Sequence, residues 1–126
     1  MTQEQKIFPY IARLLQGAEV VWKPLGEVAE LKRGKSLQKS DIGLGDIPII
    51  LYGELYTTYG NYITEIASYT SLERAKKATL ANQNDLLLPL SSTTKEAKIG
   101  KVSAICVDIP IYIGGDTLIL SHSQSV

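Results

Sequence analysis

The side chains with the most chemical potential in this chain fall in two stretches. Between Tyr52 and Tyr62, the residues Tyr52, Glu54, Tyr56, Thr57, Thr58, Tyr59 and Asn61 bring carboxylate, hydroxyl, amide and aromatic groups together, with Gly53 and Gly60 between them. Such groups match the edges of nucleic-acid bases. Asn pairs with adenine, Glu accepts from the cytosine amino group, and Thr serves either partner or touches a thymine methyl. Tyr and Thr hydroxyls also reach phosphate oxygens. The same stretch reads equally as a β-hairpin whose alternating tyrosines cover a sheet face. The second stretch, from Leu90 to Ile99, carries Ser91, Ser92, Thr93 and Thr94 in succession, followed by Lys95 and Lys98. Four small hydroxyls and two ammonium groups suit a phosphate backbone, although a solvated surface loop has the same composition. Lys32, Arg33 and Lys35, around Gly34, either contact phosphate or cap a turn.

Catalytic constellations are scarce. The only histidine, His122, lies in a polar tail, and the only cysteine is Cys106, so a His-based triad and a thiolate zinc site are both disfavoured. No glycine-rich phosphate loop is present; Gly43 and Gly45 are too close together to form one. A methyltransferase would need a cofactor-binding sheet and a polar-Pro-Pro-aromatic loop, and neither appears. One pattern does point to an enzyme. Asp85 before an apolar strand, then Glu96 and Lys98, has the Asp…Glu-x-Lys order of metal-dependent nucleases, in which two carboxylates hold a divalent cation and the lysine supports the attacking water. Here Glu96 and Lys98 fall in an expected loop, where a nuclease would hold them on a strand.

Charge sums to zero, 13 basic against 13 acidic residues, so bulk attraction to nucleic acid is not the driving force. Distribution matters more than the sum. Ten of the 13 basic residues form three clusters: Lys32, Arg33, Lys35 and Lys39; Arg74, Lys76 and Lys77; and Lys95, Lys98 and Lys101. A lone cysteine forms no internal disulfide, which fits a reducing, cytoplasmic setting. No apolar run approaches the length of a bilayer span.

These groups must be carried by short elements. At 126 residues the chain fits one domain. Ile7, Ile11, Leu14 and Leu15 share a helical face, so Thr2–Gln16 reads as a helix ending at Gly17, with Pro9 in its first regular turn. Pro24 favours a helical turn through Leu25–Ala29. Strands are expected at Ile47–Tyr52, Asp85–Leu90, Lys101–Asp108, Ile111–Ile113 and Thr117–Leu120, and the Tyr56–Ile63 stretch reads as strand around a Gly60-Asn61 turn. Thr70 and Glu73 have capping-box spacing, which predicts a short helix over Ser71–Lys77. Ser121–Val126 reads as a polar tail. The fold class that follows is mixed α+β, with a twisted, mostly antiparallel sheet and short flanking helices.

The order of several short strings narrows the reading. Trp22-Lys-Pro-Leu-Gly-Glu-Val-Ala-Glu-Leu-Lys-Arg-Gly-Lys-Ser36 is followed by Ile47–Gly53, Asn84–Leu88, Ile99–Val102 and Gly114–Leu120. In that order, over roughly Val20–Leu120, they resemble the target-recognition domains of Type I restriction-modification specificity subunits. The resemblance implies sequence-specific binding of double-stranded DNA at one half-site, and a non-catalytic role. Base-contacting residues vary within that family, so the candidate contacts rest on residue chemistry and placement. It further implies methylation and restriction subunits as partners. S-adenosylmethionine would bind only the methylation subunit, and no cofactor is expected here. The expected organisation is an N-terminal helical segment at 1–19 and one recognition domain at 20–126. That family continues with a spacer helix and a second domain, so an incomplete recognition unit is expected. A protein-interaction fragment that does not bind DNA alone remains a further alternative.

Overall fold

The computed structural model describes residues 21–91 and 101–122. The expected helical segment at 1–19 lies outside them, as do Ser92, Thr93, Thr94, Lys95, Glu96 and Lys98. The described chain begins with a helical turn, α1 (Leu25–Val28), which Pro24 starts by fixing the backbone at φ −56°. It runs directly into β1 (Ala29–Arg33). A loop holding a 3-10 turn at Lys39–Asp41 leads to β2 (Ile47–Ile50), then to α2 (Glu54–Thr57) and β3 (Tyr62–Ile63). Next come β4 (Ser68–Thr70), α3 (Leu72–Ala75), β5 (Thr79–Ala81) and β6 (Leu86–Pro89). After the undescribed stretch follow β7 (Ser103–Ile105), β8 (Ile111–Ile113) and β9 (Thr117–His122).

The class is mixed α+β, as expected, but the strands divide between two sheets rather than one. One runs β1-β9-β6-β7-β3 and the other β4-β2-β8-β5. Pairing is mostly antiparallel, with one parallel ladder in each sheet, β3 with β7 and β2 with β8. The core lies between the sheets. Ile63, Leu87, Ile105 and Ile119 come from the first sheet, and Ile50, Ala81, Ile111 and Ile113 from the second, with Leu55 and Tyr59 from the α2 region. Isoleucine dominates because its branched Cβ packs on a pleated surface, and the alternating burial of β6 to β9 is the period of two that strands impose.

Several expectations shift in detail. Residues 54–57 form a helical turn, so the tyrosine stretch is not a hairpin. Glu54 explains the difference: its carboxylate accepts the Leu51 N–H at 2.9 Å and the Ser68 hydroxyl at 2.6 Å, which holds the chain in a turn that periodicity cannot report. The cap of α3 is Ser71, whose Oγ accepts the Arg74 N–H at 3.4 Å; Thr70 belongs to β4 instead and is fully buried. Ser121 and His122 are not tail but the end of β9, paired with Glu30 and Ala29. Pro89 closes β6 as expected, opposite Thr117.

Candidate nucleic-acid interface

The loop after β1 builds most of the candidate surface. Gly34 donates to Thr117 O at 2.8 Å and Lys35 to Ile113 O at 3.2 Å, while Gly114 donates to Ile50 O at 2.9 Å and Gly115 to Ser36 O at 3.3 Å. The Arg33-Gly34 and Gly114-Gly115 strings, 80 residues apart in sequence, are therefore two sides of one junction between the sheets. Beyond it, Ser36 and Leu37 take left-handed backbone at φ 63° and 47°, and Asp116 at φ 57°. Non-glycine residues hold such angles only where surrounding contacts impose them, and they concentrate at functional surfaces. All three line a cleft of about 580 Å³ whose opposite wall is Tyr52, Tyr56 and Thr57 of the α2 region.

The fold also unites two of the three basic clusters. Thr79 Oγ1 donates to Arg33 O at 2.6 Å, Ser36 Oγ to Lys77 O at 3.2 Å, and the Arg74 guanidinium bonds the Asp41 carboxylate at 2.7 Å. Segments 33–46 and 73–77, with Asp116, thus form one edge on which six cations meet four carboxylates. The other described residues hold three cations and six carboxylates. Two of the four carboxylates on this edge already face arginine. Asp41 is buried against Arg74, and its carboxyl is held below the usual carboxylate range, first by the Gln38 N–H that it accepts and then by Arg74, against the opposing cost of burial. Asp116 faces Arg33 at a looser 3.8 Å. Among the described residues no ion pair engages Lys35, Lys39, Lys76 or Lys77. A groove of about 490 Å³ between Gln38, Arg74 and Lys77 runs along this edge.

The candidate contacts sort as follows. Arg33 and Lys35 are exposed on the basic edge, while Lys32 is half-buried in β1. Thr57 and Thr58 are exposed; Thr57 Oγ1 donates to Gly53 O at 3.1 Å. Tyr52 is half-exposed in the cleft wall, and Tyr56 donates its hydroxyl to Ser91 O at 2.9 Å, which joins the two candidate stretches. Asn61 is exposed, with its amide donating to Val102 O at 2.9 Å. Two candidates turn inward. Tyr59 is part of the core, its hydroxyl accepts the Ala67 N–H at 2.9 Å, and burial pushes its pKa up, so it offers no contact surface. Both oxygens of the Glu54 carboxylate are engaged by Leu51 and Ser68.

Ser36, Leu37 and Asp116 carry no recognisable signal as cleft residues, since their backbone angles come from contacts distant in sequence. Arg74 and Lys77 were visible as a charge cluster, but not as neighbours of Arg33. Asp85 does not resemble a metal ligand: it is buried and its carboxylate accepts the Asn82 N–H at 2.9 Å. No group of three or more potential ligand side chains occurs among the described residues.

By sequence, no protein-family model and no curated protein matches the chain. By fold it matches solved structures. One, from work on the structural basis of complex assembly and conformational transition of the type I R-M system, aligns over 98% of this chain with a TM-score of 0.61 at 19% identity. The HsdS subunit of Thermoanaerobacter tengcongensis aligns over 98% of this chain with a TM-score of 0.59 at 18% identity. This chain spans about a third of the length of those proteins, 30% and 32% respectively.

Proposed function

We propose that this chain, which shares its fold with part of the HsdS specificity subunits, is a non-catalytic reader of one half-site in double-stranded DNA for a Type I restriction-modification complex. The observation that supports the reading most directly is the union of the Arg33–Lys39 and Arg74–Lys77 clusters beside a tyrosine- and threonine-lined cleft. Phosphate contacts position a protein on a duplex, while base-edge contacts specify sequence. The cationic edge suits the first task. Tyr52, Tyr56, Thr57, Thr58 and Asn61 suit the second. Ser91, with Ser92, Thr93, Thr94, Lys95 and Lys98, belongs to the same proposal as a phosphate-facing stretch, joined to the cleft through the Tyr56–Ser91 bond.

Methylation and restriction subunits are the protein partners in this reading, with S-adenosylmethionine held by the methylation subunit and the complex acting in the cytoplasm. Large apolar side chains exposed at Trp22, Leu25 and Leu31 favour a protein contact on the side of β1. No helix among the described residues is long and apolar enough to cross a membrane.

Selection of duplexes from a random pool by the purified chain, followed by salt titration on the winner, tests the reading. Enrichment of a short sequence is expected. Lys39→Ala and Lys77→Ala should each make the slope of log K against log salt shallower by about 0.9, the value for one lost phosphate contact. A pool that stays random after selection would overturn the reading, and unchanged slopes would remove this edge from the interface.

A further inference from the structure

Lys101 stands in the third basic cluster, yet its ammonium is already occupied inside the fold. It is half-buried and donates to Leu55 O at 2.5 Å and Tyr59 O at 2.6 Å. Leu55 O is one of the last carbonyls of α2, which have no partner within the turn itself. Tyr59 O lies just beyond. A lysine bonding such carbonyls closes the end of a helical turn, and both bonds are charge-assisted, roughly twice the strength of neutral ones. Neighbouring bonds reinforce the attachment: Asn61 to Val102 O at 2.9 Å, and Ser103 Oγ to Gly60 O at 2.7 Å. With Tyr56 bonding Ser91 O, the residues flanking 92–100 are tied to α2 and to the turn that follows it.

We infer that Lys101 is a positioning residue for sequence discrimination: it holds α2 so that Tyr56, Thr57 and Thr58 present fixed groups to the duplex, and it makes no phosphate contact itself. This rests on the DNA-reading function proposed above. An ammonium has three donors, and two are spent at short distances on carbonyls of a core-lining segment. Turning it toward a phosphate would strip both carbonyls of their partner. Because α2 is only four residues long, it has little stability of its own, and its geometry depends on these side-chain bonds.

Three variants and two measurements test this. In the free protein, the Thr58 and Tyr59 amides bond Glu54 O at 2.9 and 3.0 Å and report on closure of the turn. Lys101→Met should raise their hydrogen-exchange rates by about tenfold or more, and Lys101→Arg should restore part of the protection. On DNA, Lys101→Met should narrow the ratio of selected to unrelated duplex affinity by about tenfold while leaving the salt slope at its wild-type value. A phosphate contact behaves differently: the slope falls by about 0.9 and both duplexes weaken alike. That outcome, or unchanged exchange at Thr58 and Tyr59, overturns the inference. Lys101→Gln, which keeps an amide donor without the charge, takes the place of Lys101→Met if the latter does not fold. Wild-type protein that discriminates no duplex overturns the DNA reading and the role in discrimination with it. The exchange measurement still decides separately whether Lys101 holds the turn.

Discussion

Replacing Gly34 with alanine is the severest small change the structure allows. A methyl group built there would sit 1.9 Å from Gly114 O, 2.9 Å from Gly114 C and 3.0 Å from Ile113 Cγ2. The first two neighbours are backbone, so no side chain can swing away. Gly34 does not need glycine for its backbone angles, since Gly43 is the one described glycine in the left-handed region. It needs glycine for the missing Cβ. An ordinary carbon–oxygen contact needs about 3.4 Å, so the strands must part by roughly 1.5 Å. That displacement exceeds what the bonds from Gly34 to Thr117 O and from Gly114 to Ile50 O tolerate. Overpacking costs about 1–3 kcal/mol and each lost backbone bond about 1 kcal/mol. The sum is on the order of 3–5 kcal/mol, or a drop in melting temperature of roughly 10–20 °C for a domain of this size. Thermal unfolding followed by circular dichroism measures it. Gly53→Ala is the control, because nothing lies within 4 Å of its Cβ position and its φ of −63° already suits alanine; it should shift stability by less than about 1 kcal/mol. Equal melting of Gly34→Ala and wild type would refute the close approach of the two strings, and the shape of the cleft that depends on it.

The Asp41 carboxyl has a folded pKa below its unfolded one, so its contribution to stability is complete above the ordinary carboxylate value of about 4 and is lost as pH falls through the lower folded value. Denaturant unfolding between pH 2 and 7 should show that acid limb in the wild type and a flatter one in Asp41→Asn. Asp85→Asn should cost about 1–2 kcal/mol in chemical denaturation, because it weakens the bond to the Asn82 N–H in a buried turn. Incubating wild-type protein with DNA and Mg²⁺ should yield no cutting; cleavage that Asp85→Asn abolishes would revive the nuclease alternative.

Strong local signals survived folding. The apolar runs at 47–50, 86–89 and 111–113 became strands because β-branched residues flanked by turns have few other stable arrangements. The turn after Pro24 formed for an equally local reason. By contrast, β4 and β5 are three residues each and were invisible, since their existence depends on edges offered by β2 and β8 rather than on any periodicity of their own. The tyrosine stretch misled for a related reason. Its alternation satisfies a strand, but Glu54 and Lys101 spend three side-chain bonds on a helical turn instead. Tyr59 shows the limit for individual contacts: residue type marked it as a reader, and only packing revealed it as core.

Net charge conceals how charge is distributed over this fold. At physiological ionic strength charges interact over about 8 Å, so a duplex lying on one edge senses that edge and little else. The chain sums to zero because carboxylates predominate away from segments 33–46 and 73–77, while on that edge only Arg33 and Arg74 form ion pairs among the described residues. Among the described residues no ion pair engages Lys35, Lys39, Lys76 or Lys77, while Arg74 is held by Asp41 at the rim of the same groove. An edge with so few open cations makes few phosphate contacts, so affinity should be modest and its fall with salt shallow. In the proposed reading, discrimination then comes from the fixed geometry of α2 and the cleft. That division of labour explains why a half-buried lysine and a half-buried glutamate, both spent on bonds within the fold, matter as much to the proposed reading as the lysines on the edge.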